Sequence, residues 1–252
     1  MDNTAKFTGK AALYDRYRPG YPAACIRDIM DICDLQQGDR MADVGAGSGI
    51  FTEALLANGL YVWAVEPNAD MGRALQCRLQ EKDGWQLTEA PAENTGLPAH
   101  SVKAVTVAQA FHWFDAPRFQ NECRRILQPG GRVALVWNSR DKSSPLVQEL
   151  HKINTMYCPE FKGFSGGQGA DAPEVQAFFG GEVRMREFPN PLPMDIEGFL
   201  GRNLSASYAP KPGEATYEPF VRALSELFEK WSSDGKVIMP NLTRSYIGAL
   251  PA

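Results

Sequence analysis

Apolar and polar positions follow two rhythms through the first half of the chain. Met41–Val44 is a short apolar run that enters a glycine-rich turn. Residues 50–58, IFTEALLAN, space their apolar side chains as a helix does and stop at Gly59, a residue suited to a helix C-terminus. Tyr61–Val65 is β-branched and aromatic, which predicts a strand. The spacing then predicts a helix over Asn68–Lys82, a short strand over Trp85–Glu89 and an apolar strand over Val102–Ala108. A helix over Pro117–Ile126 is stopped by Pro129-Gly130-Gly131, and Arg132–Trp137 reads as the next strand. Strands alternating with helices in this way predict an α/β fold, with a parallel sheet and helices on both faces.

The second half is less regular. Residues 138–181 are rich in Gly, Pro and Ser, broken by a helix over Leu146–Met156. Val183–Phe188 alternates as a strand, Asp195–Ser205 and Tyr217–Trp231 read as helices, and Lys236–Tyr246 reads as one last strand. Residues 1–22 carry aromatic and turn residues, which predicts a loop or short helix laid over another part of the molecule. There is no internal repeat and no low-complexity tract.

Composition narrows the classes. At 252 residues and 44% hydrophobic, the chain can bury a sizeable core. Its net charge is -4, and Arg124-Arg125 is its densest basic cluster, so a nucleic-acid partner is not expected. The five cysteines are odd in number and none has C-x-x-C spacing. Reduced, mostly buried thiols are expected, rather than a disulfide framework or a zinc site. No Asp/His cluster has ligand spacing, so no metal is expected. The first residues lack a signal pattern, and no apolar stretch approaches the ~20 residues that cross a bilayer. A cytoplasmic protein without a membrane partner is the expectation.

The strongest chemical signal is DVGAGSG, Asp43 to Gly49, between a strand and a helix. Glycines there let the backbone turn sharply and a ligand approach closely. The helix beyond offers free N–H groups. The second signal is Glu66, which closes the strand YVWAVE. A carboxylate at that strand end can accept two ribose hydroxyls at once, each charge-assisted bond being worth about 1.5–3 kcal/mol. Its other reading is an exposed strand-end acid before a Pro67-Asn68 turn. Dinucleotide-binding domains share both signals, but their fingerprint is G-x-G-x-x-G. Here the third glycine of that pattern is replaced by Ile50, and the motif is G-x-G-x-G with Asp43 two residues ahead.

That form resembles the cofactor motif of class I S-adenosylmethionine-dependent methyltransferases. APAENTGLP supplies Ala92 and Glu93 where that family has an adenine-contacting pair. AVTVAQAFHWFD, with Gln109 and Ala110 past its strand, is similar to small-molecule members with an H-W step. RILQPGGRVALVW resembles the family's helix, Pro-Gly-Gly turn and fifth strand, and AALYDRYRPGYP resembles a segment that closes over the cofactor in trans-aconitate methyltransferase-like (type 11) relatives. The resemblance runs from about Ala11 to Trp137, with RNLSASYAP and TRSYIGAL similar to later elements of the same group. It implies a Rossmann-like seven-stranded sheet, mostly parallel with an antiparallel last strand, plus a helical cap. Residues 1–22 would be a lid, 23–189 and 236–252 the cofactor domain, and 190–235 a helical insertion over the active site.

The implied activity is methyl transfer from S-adenosylmethionine to a small molecule. The implied cofactor set is Asp43, Gly45, Ala46, Gly47, Gly49, Glu66, Pro67, Asn68, Met71, Ala92, Glu93, Gln109 and Ala110. His112 is the candidate base for an acceptor that must lose a proton; packing beside Trp113 is its other role. Phe111 and Trp113 are candidates to line a substrate pocket or to pack in the core. Tyr14, Tyr17 and Arg18 are lid candidates, and Arg202 and Tyr208 are candidate substrate contacts. Two other functions fit the same features: a cofactor-binding module without catalysis, since no catalytic residue is obligatory, and a nicotinamide-dependent dehydrogenase, against which Ile50 speaks.

Overall fold

The computed structural model describes residues 19–164 and 173–251. Tyr14, Tyr17 and Arg18 lie outside them. The elements in chain order are α1 (Ala23–Ile32), β1 (Arg40–Val44), α2 (Ile50–Leu56), β2 (Tyr61–Val65), α3 (Ala69–Leu79), β3 (Trp85–Thr88) and β4 (Val102–Ala108). A short 3-10 turn, Phe111–Trp113, precedes α4 (Ala116–Ile126) and β5 (Leu127–Arg140). There follow α5 (Pro145–Tyr157), α6 (Pro173–Phe179), β6 (Val183–Pro189), β7 (Leu192–Met194), α7 (Ile196–Leu204), α8 (Tyr217–Trp231), β8 (Val237–Met239) and β9 (Asn241–Gly248).

Seven strands form one sheet in the order β3-β2-β1-β4-β5-β9-β6. β1 is flanked by β2 and β4, and all pairings from β3 to β5 are parallel. β9 and β6 are the antiparallel members. The sheet is the mostly parallel, Rossmann-like, seven-stranded one that the family resemblance implies, and its parallel part is the one the alternating pattern predicts. Alternate side chains of each strand go to opposite faces. Ala42, Val105, Val133, Leu135 and Tyr246 join Phe119 and Cys123 of α4 and Phe178 of α6 in one core. Met41, Ala104, Ala134, Val136 and Ile247 join Ile26 and Ile29 of α1 and Phe51 and Leu55 of α2 in the other. Burial on both faces explains why these strands read as apolar runs.

The chain divides into two compact units. The first takes in the described residues up to Trp137, those from 173 to Phe188, and those from Thr243 onward. The second takes in the described residues from Asn138 to Phe164 and from Pro189 to Leu242. It has its own core, built from Leu146 and Leu150 of α5, Phe199 of α7, Phe220 and Leu224 of α8, and Met239 of β8. The sequence reading set off only 190–235; the second unit also draws in α5, because the apolar stripe of that helix is buried in the same cluster.

Several elements depart from the sequence reading. Lys236–Tyr246 is not one strand. Pro240, which has no N–H to give to a ladder, separates β8 from β9. β8 pairs antiparallel with β7, while β9 enters the main sheet. β5 begins earlier than Arg132: Leu127 pairs with Val102 and Arg132 with Ala104, so residues 128–131 bulge out between two paired positions. Helices α1 and α6 were not anticipated. Among the described residues, no helix is long and apolar enough to cross a membrane.

The bulge in β5 depends on the absence of a side chain at Gly131. A Cβ there would sit 2.9 Å from the Lys103 carbonyl oxygen and 3.0 Å from that of Gln128. Gly131→Ala is expected to cost about 1–3 kcal/mol in urea unfolding, because backbone atoms rather than flexible side chains must move. An unchanged midpoint would show that the bulge relaxes freely.

Candidate functional site

The carboxyl ends of β1, β2 and β4 meet at the glycine turn. The turn bends through three left-handed glycines: Gly45 at φ 72°, Gly47 at φ 58° and Gly49 at φ 84°. Such angles cost other residues about 1–2 kcal/mol. The backbone N–H groups of Gly45 and Ala46 donate to the Val65 carbonyl at 2.8 and 3.1 Å. Helix α3 braces the other end, where Arg78 donates from Nε to the Ser48 carbonyl at 2.9 Å and pairs with Glu53 at 3.1 Å.

The three glycines are required for different reasons. A Cβ on Gly45 would lie 2.5 Å from the Cβ of Ala110 and 3.0 Å from the ring of Phe114. One on Gly49 would lie 2.9 Å from Leu75. Both positions are therefore closed by the protein's own packing. A Cβ on Gly47 would meet no atom of the other described residues within 4 Å, so among them that face of the turn is open.

Glu66 is bound to this turn and does not point to bulk water. It is 8% exposed. Its Oε2 accepts the Gly47 N–H at 2.9 Å and its Oε1 the Asn68 N–H at 2.8 Å. Burial pushes its carboxyl above the usual range, against the lowering effect of the Asn68 and Gly47 N–H groups. Each oxygen keeps a further lone pair for an outside donor. Asn68 also caps α3, accepting the Met71 N–H at 3.0 Å, while Met71 is buried and Pro67 exposed.

Asp43 is fully buried, and hydroxyls satisfy both of its oxygens. Thr52 of α2 donates to Oδ2 at 2.6 Å and Thr106 of β4 to Oδ1 at 3.2 Å. Neither threonine was singled out from the sequence. The available signal was a hydroxyl inside the apolar strand VKAVTVA, on the parity that faces α2. Burial raises the Asp43 carboxyl to about 6, with the two hydroxyls opposing and the charge of Glu66 adding to the rise.

The remaining candidates divide. Ala92 and Ala110 are buried. Glu93 accepts the Asp115 N–H at 2.7 Å, which ties the loop after β3 to the start of α4. Gln109 takes φ 61° at the end of β4, a strained angle for a non-glycine residue, and its N–H donates to the Val136 carbonyl at 2.9 Å. His112 is exposed, its ring 4.6 Å from that of Trp113, which is 38% exposed. Phe111 is 5% exposed and packs edge-on against Phe114, Trp137 and Phe178, so the structure places it in the core. Arg202 and Tyr208 belong to the second unit. Arg202 donates to Asn241 at 3.3 Å, and the ring of Tyr208 lies 4.8 Å from that of Phe161. Among the described residues, no group of three His, Cys, Asp or Glu side chains could hold a metal ion.

Residues 42–135 match the family model of a methyltransferase domain. That stretch, from β1 to β5, is therefore similar to methyltransferase domains. An uncharacterised methyltransferase of Mycobacterium tuberculosis is 39% identical over 152 residues. That match spans 60% of this chain and only 60% of the relative's length. An uncharacterised methyltransferase-like protein of Schizosaccharomyces pombe is 28% identical over 88% of this chain and 85% of its own length. Among solved structures, a candidate type II methyltransferase from Anaeromyxobacter dehalogenans superposes with a TM-score of 0.70 at 23% identity, covering 94% of this chain and all of that one. Phosphoethanolamine N-methyltransferase 2 of Haemonchus contortus, solved with phosphomonomethylethanolamine and S-adenosylhomocysteine, superposes at 0.55 with 15% identity, over 99% of this chain and 58% of that one.

The raised Asp43 carboxyl makes a stability prediction for the first unit. The folded state holds this proton more tightly than the unfolded chain does, so the contribution is full below pH about 4. It is lost as pH rises to about 6, by about 3 kcal/mol in all. Asp43→Asn is expected to remove that decline in denaturant unfolding measured from pH 4 to 7. A decline of unchanged size would assign it to another group.

Proposed function

We propose that the methyltransferase domain binds S-adenosylmethionine at the glycine turn and transfers its methyl group to a small-molecule acceptor. The observation that carries this reading is Glu66: a buried carboxylate bonded to Gly47, the one glycine of the turn whose Cβ would enter open space. These residues fit an adenosyl group. The carboxylate has spare lone pairs for two ribose hydroxyls, and the missing Cβ leaves room for the ligand beside it. The Haemonchus contortus enzyme of similar fold, solved with S-adenosylhomocysteine, supports the choice of cofactor.

Each residue would act by holding the cofactor or shielding it. Glu66 would grip the ribose. Pro67, Asn68 and Met71 would form the wall behind the ribose, and Ala92 and Glu93 would flank the adenine. Gly45, Ala46, Gly49, Gln109 and Ala110 would shape the opening. Asp43 would fix the turn through Thr52 and Thr106 and, from there, order the methionine end. When bound, S-adenosylmethionine supplies a methyl group already activated on sulfur. The chain's work is therefore alignment and exclusion of water, which can supply several kcal/mol. His112, exposed on the turn after β4, would accept a proton only from an acceptor that must lose one.

Titration calorimetry with S-adenosylmethionine tests the placement. Glu66→Ala is expected to weaken binding at least tenfold, and unchanged affinity would sink the ribose assignment. Thermal shift with S-adenosylhomocysteine, NADH and NADPH in parallel should show stabilisation by the first alone. Stabilisation by NADH alone would favour the dehydrogenase. Turnover of a labelled methyl donor on any small acceptor excludes an inert binding module.

The glycine turn supplies a second test. Gly45→Ala is expected to cost stability, because Ala110 and Phe114 occupy the space. Gly47→Ala is expected to cost only about 1 kcal/mol of stability from its backbone angle, yet to reduce cofactor affinity at least tenfold. Equal effects on stability and affinity at the two positions would contradict an open face at Gly47.

A further inference from the structure

The second unit holds a guanidinium that the fold does not neutralise. Arg140, the last residue of β5, is half-buried. Its Nε is sealed from water and has no hydrogen-bond partner. Nη2 reaches the Oδ1 of Asn203 at a long 3.4 Å. Asn203 is buried, and its amide nitrogen is committed to the Phe199 carbonyl at 2.8 Å, which turns its oxygen to the arginine. The guanidinium carbon lies 4.3 Å from the centre of the Phe164 ring. Among the described residues, no carboxylate lies within ion-pair distance of Arg140.

A buried cation is normally paired or coordinated, because its hydration must be replaced. Here the replacements are a ring face, a distant amide and the Tyr208 phenol. Burial lowers the Arg140 guanidinium below its ordinary value, with only Tyr208 acting to raise it. Burial raises the Tyr208 phenol, and both Arg140 and Arg202 act to lower it. Two guanidinium charges bear on one hydroxyl, opposed by the Cys158 thiol, and no carboxylate of the described residues enters either balance.

We propose that this cluster is an oxyanion site, taking the carboxylate or phosphate of a small acidic molecule. The Arg140 guanidinium and the hydroxyl of Tyr208 are the donors, and the Phe164 ring fixes the guanidinium plane. A planar fork suits a two-oxygen group better than chloride. Identifying the bound acid with the methyl acceptor rests on the methyl-transfer reading; the anion site itself does not.

The test is calorimetry and thermal melting of the full chain with succinate, with inorganic phosphate, and with chloride at matched ionic strength. Succinate or phosphate is expected to bind saturably and raise Tm where chloride does not. Preference for succinate assigns a carboxylic acid, and preference for phosphate a phosphorylated molecule. Arg140→Gln should raise the Kd at least tenfold, and Tyr208→Phe at least threefold. If Arg140→Gln does not fold, Arg140→Lys, which keeps the charge but not the fork, replaces it and should also lose tenfold. Absence of binding, equal stabilisation by chloride, or unchanged affinity in these variants overturns the proposal. S-adenosylhomocysteine affinity, measured on the same samples, separates the two readings. Its loss in the parent protein would sink the cofactor placement and leave the anion result standing.

Discussion

A parallel sheet must bring its chain back over one face after every strand, and the first return here passes through very little space. β1 lies between β2 and β4, so the turn that follows it is enclosed by both neighbours. Gly45 and Ala46 donate to the end of β2, and Ala110, just past β4, fills the place where a Gly45 side chain would go. Gly47 cannot reach a backbone carbonyl in that geometry, and the Glu66 carboxylate takes its N–H instead. The bend, the end of β2 and the start of α3 are thus one hydrogen-bonded unit with a carboxylate at its centre.

That arrangement carries an electrostatic cost. Asp43 and Glu66 are both buried, and each carboxyl is pushed up by its burial. Hydroxyl donors at Asp43 and N–H donors at Glu66 offset part of the penalty. Structural economy alone would favour apolar residues at such positions. Two desolvated acids at adjacent strand ends are more readily understood as a place where outside donors complete the set. The strained Gln109 belongs to the same region, at the end of the next strand over.

The sequence displayed what depends on neighbours along the chain. The order of elements from β1 to β5, the turn after β1 and the acid at the end of β2 all follow from periodicity and glycine spacing. What depends on partners far apart in the chain did not appear. Nothing near Gly45 or Gly49 announces that Ala110 and Leu75 close the space beside them. Nothing near Asp43 announces Thr106, 63 positions later. Phe111 reads equally as pocket lining or core until Phe178 is placed against it. Pro240 was visible, but the cost of its missing N–H was outweighed by the apolar run around it. α5 reads as a helix from its own spacing, but its membership of the second unit needs the helix it packs against, α8.

The division of the chain bears on where substrate choice is encoded. The family match ends at residue 135, and the first stretch of the second unit begins at Asn138. The shared chemistry therefore lies in a sheet whose side chains are locked between two buried faces. The second unit has a separate core, built around Phe199, Phe220 and Leu224. The matched stretch and the Arg140 cluster therefore belong to different units, and the second has its own core. Among the described residues Arg140 has no carboxylate partner, and packing alone gives no reason to desolvate its charge.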